Sequence, residues 1–219
     1  MVSYPLSALK ESSAIGGVTI CAQHPSELAP VAAASAGSTV SLRESSATIA
    51  QTIEQLLRER PGPLLVTTAD HVLLTSEMVD HFAAAAAGRD LGVGMVSRQV
   101  LVQAGIDTHR TWLKFRGGHW SGANLFWLKG AECIPLIRFW AEIEQDRKKG
   151  FRIISAFGPG LALAAALRLG DVHSLVKRAG RRFGIDAAVI AMPQAEACID
   201  ADKPSDIALI EQLLAERAG

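Results

Sequence analysis

Short apolar, β-rich runs that stop abruptly and give way to helical periodicity are what most constrain this chain. "VTICA" at 18–22, "TVSL" at 39–42, "PLLVTT" at 63–68, "LGVGMVS" at 91–97 and "AAVIAM" at 187–192 each read as a strand. Helical patterns lie between them. Ser26 predicts a cap for "PSELAPVAAASAG", with Gly37 ending it. "ATIAQTIEQLLRER" places Ile49, Ile53, Leu56 and Leu57 on one helical face and stops at Pro61 and Gly62. Thr75 predicts a cap for "SEMVDHFAAAAAG", with Glu77 favourably placed in its first turn, and Ser205 predicts one for the closing "SDIALIEQLLAERAG". "PLLVTT" is apolar throughout, as expected of a central parallel strand covered on both faces. Alternation of this kind predicts a doubly wound, mostly parallel α/β sheet.

The middle of the chain is richer in strand signals and aromatics. "TWLKFRGGHW" predicts a strand and a turn, and "GANLFWL" a further strand, before a long helical section at about 131–183. No internal repeat, low-complexity linker or boundary divides the sequence, so a single domain over 1–219 is expected. With 49% hydrophobic and 20% charged residues, the chain has the material for a core and is not disordered. Lysine plus arginine equals aspartate plus glutamate at 22 each, which gives no global attraction to nucleic acid or to an anionic membrane.

Other classes are excluded by spacing. Cys21, Cys133 and Cys198 lie far apart without CxxC spacing, so they read as small buried hydrophobes in a reducing compartment. Trp112, Trp120, Trp127 and Trp140 are not spaced as a stacking platform and read as packing groups. The N-terminus lacks the basic start and apolar core of a signal peptide. "GPGLALAAALRLG" is interrupted by Arg168 and falls short of the roughly 20 residues of a membrane span. A soluble, cytoplasmic protein without nucleic-acid or membrane partners is expected.

In doubly wound sheets ligands bind beyond the carboxyl ends of the strands. Asp70 stands there after the third strand, where a carboxylate suits a hard cation such as Mg²⁺; the alternative is a turn aspartate bonding local amides. "CIDADKPSD" carries Asp200, Asp202 and Asp206. Asp200 and Asp202 share one side of an extended segment, so either completes a metal site with Asp70 if the fold joins the two segments. The alternative is a solvated loop, with Asp206 favouring the first turn of the last helix. "DTHRTWLKFRGGHW" supplies His109, Arg110, Lys114 and Arg116 for an anionic substrate. Strand alternation puts Lys114, Arg116 and Trp112 on one face, either a phosphate-facing surface or a charged guard on a strand edge. Gly122 and Asn124 open the next strand, where close backbone approach and an amide suit a ligand, or where the glycine serves a turn. His71 is either a substrate contact or a hydrogen-bonded structural histidine. Neither a G-x-S-x-G elbow nor a G-x-x-x-x-G-K-[ST] loop is present.

"GPLLVTTADHVLLTSEMVDHF" resembles the metal-binding segment of the MobA-like nucleotidyltransferases, with Val72 where those proteins usually have proline. "IDADKPSDIALIEQLL" is similar to the closing segment of that superfamily, Asp202, Pro204 and Asp206 falling on matching positions, and "SGANLFWL" resembles the strand that faces the acceptor. The likeness runs from Val18 to Leu214. It implies a nucleotide-diphospho-sugar transferase-like fold and Mg²⁺-dependent transfer of a nucleotidyl group from a nucleoside triphosphate to a small-molecule acceptor, with pyrophosphate released. Asp70 and Asp202 would be the catalytic metal holders, with Lys or Arg sharing the phosphate charge. The opening glycine-rich loop of the family, "L-A-G-G-x-G-x-R-M", has no counterpart here. Gly16 and Gly17 precede the first strand instead of following it. Met1 is expected to match an internal methionine of the family pattern, so that the first strand and loop are missing. A chain of this kind is either an enzyme whose triphosphate cradle is not encoded in it or a non-catalytic binding protein that kept the fold. A glycosyltransferase reading of "DAD" is disfavoured by its place just before the last helix.

Overall fold

The structure is a computed structural model and describes residues 1–34, 39–60, 62–108, 110–144 and 170–218. In chain order, α1 (Ser3–Glu11) leads into β1 (Val18–Ala22). A single 3₁₀ turn (Pro25–Leu28) and the short α2 (Ala29–Ala33) follow, then β2 (Val40–Glu44) and α3 (Ile49–Glu59). Next come β3 (Leu64–Val66), α4 (Ser76–Ala86), β4 (Leu91–Ser97), α5 (Arg98–Gln103), β5 (Leu113–Phe115) and β6 (Gly118–Leu128). After a 3₁₀ turn at Ala131–Cys133 the described elements are α6 (Ile134–Glu144), α7 (Val172–Arg182), β7 (Ala187–Ala191) and α8 (Pro204–Ala218). Of the helical section expected at 131–183, residues 145–169 lie outside the described residues, as does Gly37.

The local signals behave unevenly. Thr75 caps α4 by accepting from the Met78 amide, with Glu77 in the first turn, and Thr48 caps α3 in the same way through Gln51. Ile53, Leu56 and Leu57 are buried, but Ile49, the first residue of α3, is 55% exposed, while its neighbour Ala50 is fully buried. Ser26 caps nothing: it lies inside the 3₁₀ turn, whose cap position is His24. Ser205 also falls inside its helix, because α8 already begins at Pro204, a residue pre-set for the first helical position.

The sheet order explains where ligands can approach. β3, β6, β4 and β7 are neighbours in that order, and β5 pairs with β6. β4 and β7 are parallel, whereas β6 runs antiparallel to β3, β4 and β5. Four strands therefore share one direction and β6 alone opposes them. β1 and β2 pair in parallel as a separate two-stranded sheet. The sequence expectation for β3 fails here: it is not a central parallel strand but an edge strand, paired only with the antiparallel β6 among the described residues, and all three of its residues are half-buried. An apolar run reports burial in general, and hydrogen-bond partners distant in sequence decide whether the strand is central.

Alternation along β4 sends its side chains into two cores. Val96 shares one core with Ala8 and Leu9 of α1, Met78, Val79 and Phe82 of α4, Leu125 of β6 and Ile190 of β7. On the opposite face Leu91 joins Ile53 and Leu57 of α3, Ile134 and Ile137 of α6, and Ala187 of β7. Helices thus cover both faces of a mixed α/β sheet whose strands run mostly one way. Gly92 is there because α4 packs so close. A Cβ on it would stand 2.9 Å from the Ala86 Cβ and 3.1 Å from the Trp127 Cβ. Among the described residues no helix is long and apolar enough to cross a membrane.

Candidate functional site

The two acidic segments meet because their backbones bond. The Asp70 carbonyl accepts from the Ala201 amide at 3.1 Å, and Ala201 stands between Asp200 and Asp202. The same carbonyl accepts from Val72 at 2.9 Å, which turns the chain sharply as β3 ends. Carboxylate oxygens of Asp70, Asp200 and Asp202 consequently lie within 4.8 Å of one another. Three carboxylates so close repel unless cations or protons intervene.

β6 supplies the floor. β3 pairs with its last residues (126–128) and β5 with its first (118–120), so residues 121–125 have no strand partner on that edge among the described residues. Opposite, the register with β4 slips: Val93 faces Phe126, but Met95 faces Gly122. The bulge carries Asn124 at φ 48°, which is the left-handed region and the one such non-glycine residue among those described. The bulge aims the Asn124 amide, whose Nδ2 donates to Asp200 Oδ2 at 2.8 Å. Arg110 donates from Nη1 to the other oxygen, Oδ1, at 2.7 Å and from Nε to the buried Ser121 hydroxyl at 3.3 Å.

The three aspartates therefore differ. Asp200 is buried, which by itself pushes its carboxyl up, but the Arg110 hydrogen bond and charge and the Asn124 amide outweigh burial and hold it below the usual range. Asp202 is exposed and its carboxyl is pushed up, first by the Asp200 charge, then by partial desolvation and by Asp70. Asp70 is half-buried, and its Oδ1 is out of contact with water and without a hydrogen-bond partner among the described residues. An oxygen in that state is a strong acceptor without a donor, the condition that a bound cation relieves. Asp70 and Asp202 thus have oxygen to offer a divalent ion, and Asp200 keeps only the lone pairs its two donors leave free.

His71 is 1% exposed, and burial pulls its pKa down to about 4 against the opposing charges of Asp200 and Asp70. It is a neutral imidazole at neutral pH. Its Nδ1 meets the Thr67 hydroxyl at 3.3 Å. Among the described residues Nε2 has no partner at ordinary hydrogen-bond geometry, although the nearby Ala197 backbone favours the protonated ring. Asp206 is buried in the first turn of α8.

The basic stretch is divided by the fold. Lys114 is exposed in β5, and Arg116 sits not in the strand but in the tight turn before β6, where Gly117 takes φ 88°. Trp112 does not share their face. It precedes β5 and packs against the core around Val96. No hydrogen bond or ion pair links Lys114 or Arg116 to the carboxylates among the described residues. Gly122 is exposed, with open space where a Cβ would be, and His109 lies outside the described residues. Arg110 is the residue that the sequence leaves indistinct. It is one of five basic groups in its stretch, and nothing local marks it as the partner of Asp200, 90 positions away.

No family model matches the chain, and no curated protein matches it. Solved structures do. A hypothetical transferase from Thermus thermophilus is similar over 94% of this chain and 85% of that one, at 24% identity and a TM-score of 0.75. A 4-diphosphocytidyl-2C-methyl-D-erythritol synthase from Anaerococcus prevotii matches over 98% of this chain and 85% of that one, at 9% identity and a TM-score of 0.58. A CMP:2-keto-3-deoxy-manno-octonic acid synthetase complexed with CTP matches over 99% of this chain and 88% of that one, at 8% identity and a TM-score of 0.59. The chain therefore has the nucleotide-diphospho-sugar transferase-like fold, the class expected from its sequence.

Proposed function

We propose that this protein is a nucleotidyltransferase of MobA-like type, taking a nucleoside triphosphate and a small-molecule acceptor with a phosphate or hydroxyl nucleophile. The observation that carries the reading is the approach of Asp70, Asp200 and Asp202 to within 4.8 Å beyond the end of β3, with the Asp70 Oδ1 buried and unpartnered among the described residues. Asp70 and Asp202 would hold Mg²⁺, which when bound supplies charge neutralisation on phosphate oxygens. In the reaction an acceptor oxygen attacks the α-phosphorus, the bond to the β-phosphate oxygen breaks and pyrophosphate leaves. Gly122 and Asn124 fit the acceptor side, since Gly122 leaves open space at the surface and Asn124 stands beside Asp200. Lys114 and Arg116, exposed around the β5–β6 turn, offer cationic groups to a phosphate. His71, neutral and buried, backs Asp70 as a shaped wall. A soluble, cytoplasmic setting suits such substrates.

A second reading, a binding or regulatory protein that kept the fold and lost the nucleotide loop, is favoured by one observation. β1 and β2 stand as a sheet of their own, and the edge of β3 has no further strand among the described residues. Titration of the four common nucleoside triphosphates with Mg²⁺, followed by pyrophosphate release in the presence of phosphorylated acceptors, separates the two. Binding that Asp70→Asn abolishes, with pyrophosphate release, is the expected result. Binding without release supports the second reading, and absence of binding overturns the enzyme.

A further inference from the structure

Arg110 is built into the acidic cluster in a way that gives it two roles. Its side chain is 12% exposed, as is that of its partner Asp200. Of the five donors of a guanidinium, one on Nε serves Ser121 and one on Nη1 serves Asp200. Nη2 has no hydrogen-bond partner among the described residues, so donors remain unspent at a nearly buried cation. Arg110 is also the one cation that bonds to any of the three carboxylates among those residues. A guanidinium cannot shed its charge. It therefore opposes a divalent ion at Asp70 and Asp202 electrostatically, while its spare donors suit an oxyanion.

We propose that Arg110 is a resident counter-cation that sets the cation affinity of the cluster and contacts a phosphate oxygen of the substrate through its unspent donors. Asp200 is then an anchor for Arg110 and not the principal metal ligand. Both of its oxygens are already engaged, Oδ1 by Arg110 and Oδ2 by Asn124. With the ion absent, the pair keeps three clustered carboxylates tolerable. With the ion present, part of that neutralisation is redundant, and Arg110 is left with charge and donors to give to an anionic ligand. Cation and oxyanion binding are thereby coupled through one side chain.

This inference rests on the metal reading above, and its test keeps the two apart. Mn²⁺ alone, and tripolyphosphate in the presence of Mn²⁺, are titrated into wild type and into Arg110→Gln, Arg110→Lys, Asp70→Asn and the double variant Arg110→Gln/Asp200→Asn. Thermal melts check that each is folded. Removing one opposing charge a few ångströms away should tighten Mn²⁺ binding in Arg110→Gln by about five- to tenfold. The same variant should weaken tripolyphosphate by about tenfold or more. The double variant, with both charges gone, should return Mn²⁺ affinity to near that of wild type. Arg110→Lys should keep Mn²⁺ affinity within about twofold and bind tripolyphosphate several-fold more weakly, since the planar fork is lost. A merely structural ion pair gives none of the tightening.

Mn²⁺ binding that Asp70→Asn abolishes but Arg110→Gln leaves unchanged or weakens overturns the inference alone. Failure of folded wild type to bind Mn²⁺ overturns both the inference and the metal reading. Should Arg110→Gln not fold, Arg110→Lys decides: unchanged Mn²⁺ affinity with weakened tripolyphosphate supports the proposal, and no change in either overturns it.

Discussion

The sheet built around β4 and the ribbon of β1 and β2 use similar apolar strands to different effect. β4 has a partner on each side, helices over both faces and only two of its seven residues less than buried. β1 is a comparable run, yet none of its five residues is fully buried and among the described residues it pairs only with β2. Strand composition is alike in the two, so burial follows from what lies alongside and above. All three carboxylates and their clamp belong to the β4 block. They stand past the ends of β3 and β7 and against the bulge of β6, on the more deeply buried scaffold. A constellation that must hold like charges within 4.8 Å needs such support.

The contrast can be broken by truncation. Leu125→Ala, at a fully buried position of β6, should cost about 3 kcal/mol in urea unfolding, whereas Ile20→Ala in β1 should cost about 1 kcal/mol. Equal costs would mean that the ribbon is as much part of the core as the central sheet. A pH titration sharpens the comparison on the side of the site. His71 has its pKa lowered to about 4 by burial, so the unfolded chain takes up a proton that the folded chain refuses. Stability from this group is complete above about pH 6.5 and lost as pH falls towards 4, by about 3 kcal/mol in all. Measured in a chelator, His71→Gln should flatten that slope, and an unchanged slope would assign it elsewhere.

Smaller effects follow at the surface of the same block. Asp70→Asn and Asp202→Asn should each weaken Mn²⁺ binding by more than about tenfold. They should leave the melting temperature the same or raise it, because each removes a repelling charge from the cluster; a clear fall would make them structural residues. Lys114→Ala, exposed in β5, should change stability by less than about 0.5 kcal/mol. Under the proposed function its effect falls on substrate affinity, read as a raised KM, and a stability loss above that level would tie Lys114 to the fold.

Much of this was legible from residue order. The strands at 18–22 and 91–97, the cap at Thr75, and an acid placed just past a strand all follow from local periodicity and turn chemistry. Other features were not. "IDAD" presents Asp200 and Asp202 as equivalent, two residues apart on one side of an extended segment, yet one is buried between Arg110 and Asn124 and the other is exposed. Arg116 was expected on a strand face and instead occupies the turn that Gly117 makes. Ser26 and Ser205 have cap chemistry without a helix start in the right place. In each case the sequence specifies what a residue is able to do, and its neighbours choose among the options.

The sequence by itself determined the alternation of strands and helices and the acids at the strand ends, because hydrophobic period and side-chain type act over a few residues. Only the tertiary structure decided that β3 pairs with β6 alone among the described residues, that β6 runs against its neighbours with a bulge at Asn124, and that Arg110 meets Asp200. Those outcomes depend on hydrogen-bond and charge partners that are tens of residues apart, and no local pattern encodes which of several equivalent partners will arrive.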